Sequence, residues 1–67
     1  MNRELLKSEM EKRKVTVTTL SELAKINKST LSRMLSGETE CNVATAGKIA
    51  TALKLSNKVA FQIFFES

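Results

Sequence analysis

Leu20–Gly37 reads LSELAKINKSTLSRMLSG, and it carries more information than the rest of the chain. It divides into two short helices joined by a tight turn. In the second, Leu31, Met34 and Leu35 stand at i, i+3 and i+4, the spacing of a buried helical stripe. Around them lie Asn27, Lys28, Ser29, Thr30, Ser32 and Arg33. Small polar and basic side chains make a poor core. They suit contacts with phosphates and base edges.

The neighbouring segments extend this pattern. Ile26 falls in the turn, placed to plug the space between helices. Asn27 is an N-cap residue for the helix after it. Gly37 stands where a left-handed C-terminal cap is expected. Upstream, Asn2 to about Lys14 reads as a helix with Leu5, Leu6 and Met10 on one side. Its basic Lys12, Arg13 and Lys14 come last, which suits the helix dipole. Val15–Thr19 alternates like a strand, but no second strand exists to pair with it. Val15 is therefore a packing residue, and the second helix starts between Val17 and Thr19. Thr19 and Glu22 have the spacing of a capping box. That helix runs to about Lys25, with Leu20, Leu23 and Ala24 inward.

Downstream, Gly37–Asn42 is a polar loop and Asn42 caps a fourth helix, VATAGKIATALK. Val43, Ala46, Ile49, Ala50 and Leu53 recur there at helical spacing. The small Ala46, Gly47 and Ala50 leave room for another helix. Ser56 caps a fifth, from Asn57 to about Phe65. The expectation is an all-α fold of five helices forming one domain over residues 1–67.

Composition narrows the function. The chain has 67 residues, a net charge of +4, one cysteine (Cys41) and no histidine. An internal disulfide and a His/Cys zinc site are both excluded. Aspartate and tyrosine are also missing, and no glycine loop can cradle a phosphate. No workable acid/base pair remains, so neither an enzyme nor a cofactor is expected. With no histidine to activate it, Cys41 is expected to be inert. No apolar run approaches the roughly 18 residues of a membrane span. The amino end lacks a signal-like apolar segment. A cytoplasmic protein is expected, and the basic balance favours a polyanionic partner.

The segment Leu20–Gly37 resembles the helix-turn-helix of the phage repressor and Cro type, the XRE family with a lambda-repressor-like fold. STLSR followed by glycine is its most specific part. NVATAGKIATALKLS then matches the family's fourth helix and the serine cap of the fifth. The fit runs from Thr16 to Phe61. It implies a compact five-helix bundle with the helix-turn-helix at the second and third helices. The third would enter the major groove of double-stranded DNA. The positions that reach DNA fall on Asn27, Lys28, Ser29, Ser32 and Arg33, with Thr30 at the margin. Thr18 and Thr19, with Thr16, stand where the second helix offers free N–H groups to phosphates. Plainer readings stand beside these. Ser29, Thr30 and Ser32 fit a merely solvated face, and Arg33 can pair with a local carboxylate.

The chain departs from the family pattern in the turn, where Lys25 replaces the usual glycine. Val17 replaces a DNA-contacting glutamine, and Ser21 replaces alanine. Ser21 is tolerable where its hydroxyl bonds back to a carbonyl. Glu38 and Glu40 would repel phosphates, so their loop is expected to face away from DNA.

The carboxyl end gathers all three phenylalanines. Phe61 and Ala60 match core positions of the family. Val59, Ile63, Phe64 and Phe65 exceed what so small a core can cover, which marks a protein interface. The expectation is a homodimer through the fifth helix, reading a palindromic operator. The alternative is that Phe64 or Phe65 folds back onto the first helix. Two functions follow. One is a DNA-binding transcriptional regulator, a repressor of phage or mobile-element type. The other is an interaction module or antitoxin-like protein that uses the fifth helix to hold a protein partner.

Overall fold

The computed structural model describes residues 1–65 and contains five helices: α1 Arg3–Lys12, α2 Val17–Ala24, α3 Lys28–Ser36, α4 Val43–Leu53 and α5 Asn57–Phe64. Among the described residues there is no strand. The all-α expectation and the element order both hold.

Each helix starts on a side-chain cap. Asn2, Thr16, Asn27, Asn42 and Ser56 accept backbone N–H groups from Leu5, Thr19, Ser29, Thr45 and Val59. Such caps each contribute about 1 kcal/mol. Three of these were expected as written. The capping box at Thr19 and Glu22 is not formed; Thr16 Oγ1 instead accepts from Thr19 N at 3.1 Å. The cap lies three residues earlier because Val17 is already helical.

Four of the five helix ends, all but that of α5, share one device. Lys14, Lys25 and Lys54 have φ of 55°, 57° and 54°, and Gly37 has φ 86°. The next residue in each case turns its N–H back onto the helix: Val15 to Met10 O, Ile26 to Ser21 O, Glu38 to Arg33 O, Leu55 to Ala50 O. This is the Schellman closure. After each lysine the following residue is apolar, and Val15, Ile26 and Leu55 pack against the core. The lysine turns the chain and the apolar residue anchors it. Lys25 therefore adopts the left-handed conformation that the family's usual glycine would take. A β-carbon there costs about 1 kcal/mol. Lys25→Gly is expected to raise the melting midpoint by about 4 °C, read by thermal circular dichroism.

The core is built from Leu6, Met10, Leu20, Ala24, Leu31, Met34, Leu35, Ile49, Leu53 and Ile63. α2 packs on α3 and α4, and α1 packs on α3 and α5. Ser21, where alanine is usual, is buried and donates to Thr18 O at 2.7 Å.

Four expectations about facing are corrected. Leu23 is 55% exposed because it lies on the outer side of α2. Val43 is 75% exposed, as the first residue of α4, ahead of the buried stripe. Phe61 is exposed, and Ile63 takes the core place at 0%. α5 turns Ile63 and not Phe61 to the core, so Ile63 is not part of an exposed dimer surface. Val59 and Phe64 are partly buried against the core, and only Phe65 of that set is open. Phe64 borders Met1 and Arg3, so it does fold back toward α1.

A part-buried clamp joins α1 to the end of α4. Arg13 was expected to be a solvated dipole residue. Its guanidinium instead reaches Leu53 O at the end of α4 (2.8 Å) and Glu9 Oε1 (2.6 Å). Glu9 is buried and also meets Lys12 Nζ at 3.2 Å. The Arg13 hydrogen bond, then that of Lys12, holds the Glu9 carboxyl below its ordinary value of 4.5. A depressed carboxylate stabilises the fold fully above the unfolded-state value and loses that effect as pH falls through the folded one. The stability gap between wild type and Glu9→Gln is thus expected to be flat above pH 4.5 and to shrink below it. Urea midpoints measured across pH test this.

Candidate nucleic-acid interface

α3 has two unlike sides, and its chemistry is set by which residues fall on each. Leu31, Met34 and Leu35 point into the core. At 3.6 residues per turn, Ser29 and Arg33 lie opposite that stripe. Lys28, Ser32 and Ser36 form one flank, and Thr30 stands on the other. All of them, with Asn27, are exposed.

The turn and caps fix how this face is presented. Asn27 Oδ1 accepts from Ser29 N at 2.9 Å. That leaves the Asn27 side-chain amide N–H groups free to donate outward. Gly37 closes the far end. Among the described residues the ion pairs are Glu9–Lys12 and Glu9–Arg13. Among these residues no carboxylate holds Lys28 or Arg33, and no local carboxylate pairs with Arg33. Arg33 thus presents a guanidinium fork that can address a guanine edge through two parallel hydrogen bonds.

The amino end of α2 adjoins this helix. Thr16, Val17, Ser32 and Ser36 line one shallow groove, with Lys7, Met10 and Glu11 of α1. Thr18 and Thr19 are exposed beside it. The Thr16 hydroxyl donates to Thr19 Oγ1 at 3.1 Å, so the first turn of α2 is a pre-ordered polar edge.

The acidic loop meets α3 at one point. Ser36 Oγ has Glu38 Oε2 and Ser32 O at 3.1 Å and Arg33 O at 3.2 Å as acceptors for its one proton, which sets the Glu38 carboxylate beside the last turn of α3. This places Glu38 nearer to the exposed face than the sequence suggested. Cys41 is partly buried, and burial raises its thiol above the ordinary range. The sulfur is therefore kept as the unreactive thiol. Among the described residues no cluster of ligating side chains can hold a metal ion. Among the described residues no helix is long and apolar enough to cross a membrane.

A bundle that turns an unpaired polar helix face outward beside a capped helix start has the layout of a helix-turn-helix. The family model for the Cro/C1-type HTH DNA-binding domain matches residues 5–57. The chain belongs to this family. No curated protein and no solved structure gives a match. Membership makes this Cro/C1-type chain a DNA-binding domain of the kind used in transcription regulation, with double-stranded DNA as its partner.

Within the Cro/C1-type frame, the expected contact residues cluster on one side. Asn27, Lys28, Ser29, Ser32 and Arg33 share the outer part of α3, and Thr18 and Thr19 border it. Thr30 diverges to the far flank. The place of Lys7 in the groove beside α3 was not foreseen, because nothing in the spacing of α1 tells which side of that helix meets α3.

Proposed function

We propose that this Cro/C1-type domain is a sequence-specific transcriptional regulator, a repressor of phage or mobile-element type acting in the cytoplasm. It inserts α3 into the major groove. Arg33 reads a base edge, Ser29 and Ser32 make closer polar contacts, and Asn27 and Lys28 hold the backbone. Thr18 and Thr19 present the start of α2 to a phosphate. The observation that carries this reading is the two-sidedness of α3: its inner stripe is sealed while its outer residues are exposed and, for Lys28 and Arg33, without an ion-pair partner among the described residues.

Repression follows from occupancy, since a bound protein excludes polymerase from the same DNA. A homodimer through the open end of α5 fits this role. Phe61 and Phe65 lie side by side there, their rings tilted by 36° with centroids 5.6 Å apart, and Phe65 shares a groove with Val43. Two-fold pairing sets two recognition helices about 34 Å apart and calls for a palindromic site. Phe65→Glu is then expected to shift sedimentation toward monomer and weaken operator binding. A wild type that sediments as a monomer at high concentration would remove the dimer from this account.

The test of DNA recognition is selection of bound duplexes from a random pool, followed by a gel shift at rising salt. A single enriched motif is expected, with affinity falling steeply as salt rises. The same exposed Phe61 and Phe65 favour a second reading, a module that holds a protein partner. Salt-insensitive or absent DNA binding would favour it.

A further inference from the structure

Leu23, Lys25, Gly47, Lys48 and Ala52 border a hollow of about 570 Å³ between the carboxyl-terminal end of α2 and the side of α4. Ala24, almost fully buried, lies at its base. No residue of α3 lines it. The start of α2, which carries Thr16, Thr18 and Thr19, is about 10 Å away along that helix. Leu23 is a large apolar side chain left more than half exposed at the edge. A β-carbon built on Gly47 would meet nothing within 4 Å. The packing of this chain therefore does not require glycine there, although glycine is among the poorest helix formers. What it leaves is a place where a backbone from outside can approach closely.

We infer that this hollow is a docking groove for an acidic amphipathic helix of a protein partner, held while α3 stays on DNA. Size and charge both select that occupant. One turn of a helix about 10 Å across and about 5.4 Å long fills roughly 400 Å³, so the hollow takes a turn and its side chains. The wall of small and apolar residues suits the apolar anchors of such a helix, spaced at i, i+3 and i+4. Lys25 and Lys48 are exposed, one on the α2 side and one on the α4 side. Among the described residues neither has an ion-pair partner. None of the described residues lining the hollow is acidic; Glu22, next to Leu23 in the chain, is not among them. Carboxylates flanking the incoming apolar face would meet a lysine on each rim. This surface is separate from the exposed Phe61 and Phe65, which lie on α5 and just beyond it.

Peptides drawn from a random displayed pool are the probe, run against the full chain with and without its selected duplex. Enrichment is expected for sequences with apolar residues at i, i+3 and i+4 flanked by Glu or Asp, binding the free and the DNA-bound chain alike. Amide shifts caused by an enriched peptide should gather at residues 23–25 and 47–52. Lys48→Glu is expected to weaken that peptide roughly tenfold. Gly47→Gln fills the open space and is expected to weaken it by a similar factor. The same substitution should raise the melting midpoint by about 3 °C, so lost binding is not lost folding. Enriched sequences without acidic residues, shifts gathered at Phe61 and Phe65, or binding that both variants leave unchanged overturn the inference. Self-association of the wild type that Gly47→Gln abolishes also overturns it, since the occupant is then a second copy. Peptide binding to a chain that binds no DNA keeps the groove and removes the DNA reading. DNA binding with no peptide enriched does the reverse.

Discussion

Leu31→Ala is expected to cost about 2–5 kcal/mol of folding stability. Leu31 is the α3 residue with no exposure at all, and it belongs to the same core as Leu6, Leu20, Ile49 and Ile63. Truncating it removes apolar burial and leaves a cavity between helices that are short and mutually dependent. A chain of this length has a total stability of about 3–10 kcal/mol. The variant is therefore expected to be largely unfolded or nearly so at 25 °C. Urea titration should show a midpoint displaced far below wild type with little change in slope. A midpoint near wild type would mean that α3 is not anchored through this side chain. DNA affinity should fall in parallel with the folded fraction.

Arg33→Ala separates recognition from folding. Arg33 is exposed, takes no part in an ion pair among the described residues and lies opposite the buried stripe. Its loss should leave the thermal midpoint nearly unchanged, since surface substitutions of this kind stay within about 0.5 kcal/mol. Binding to the selected site should weaken by about 1–3 kcal/mol, and preference at one base position should relax. Both readouts matter. A uniform loss across all sequences would assign Arg33 to the backbone. Unchanged affinity with an intact fold would remove it from the interface.

The contrast between these two variants explains why α3 was legible in the sequence. Its inner and outer residues differ in kind, so the i, i+3, i+4 stripe fixes both faces at once. Caps were readable for the same local reason, since Asn27, Asn42 and Ser56 act on backbone within three residues. α5 was harder. Val59, Phe61, Ile63, Phe64 and Phe65 are all apolar, and a helix apolar on most sides gives no phase. Packing against α1 selected Ile63 for the core and released Phe61. The Asn2 N–H bond to Ile63 O at 2.6 Å links those two helices.

Charge patterns misled in a similar way. Lys12, Arg13 and Lys14 look alike along the chain. In the fold Lys12 and Arg13 hold Glu9, Arg13 also reaches Leu53 O, and Lys14 turns the backbone. The Glu9 pairs and the Lys14 turn lie within α1, but the Arg13 bond to Leu53 O depends on where α4 ends relative to α1, which no local window contains. The lysine-plus-apolar helix stops at Lys14–Val15, Lys25–Ile26 and Lys54–Leu55 are different. They recur along the sequence, and their repetition was a local signal available to be read.

The most direct measurement is amide NMR of the labelled chain titrated with its selected duplex. Binding through the outer side of α3 requires the largest shifts at residues 27–33, with a second group at the start of α2. Undisturbed amides across 27–33, with the changes gathered instead around Val43, Phe61 and Phe65, would contradict it.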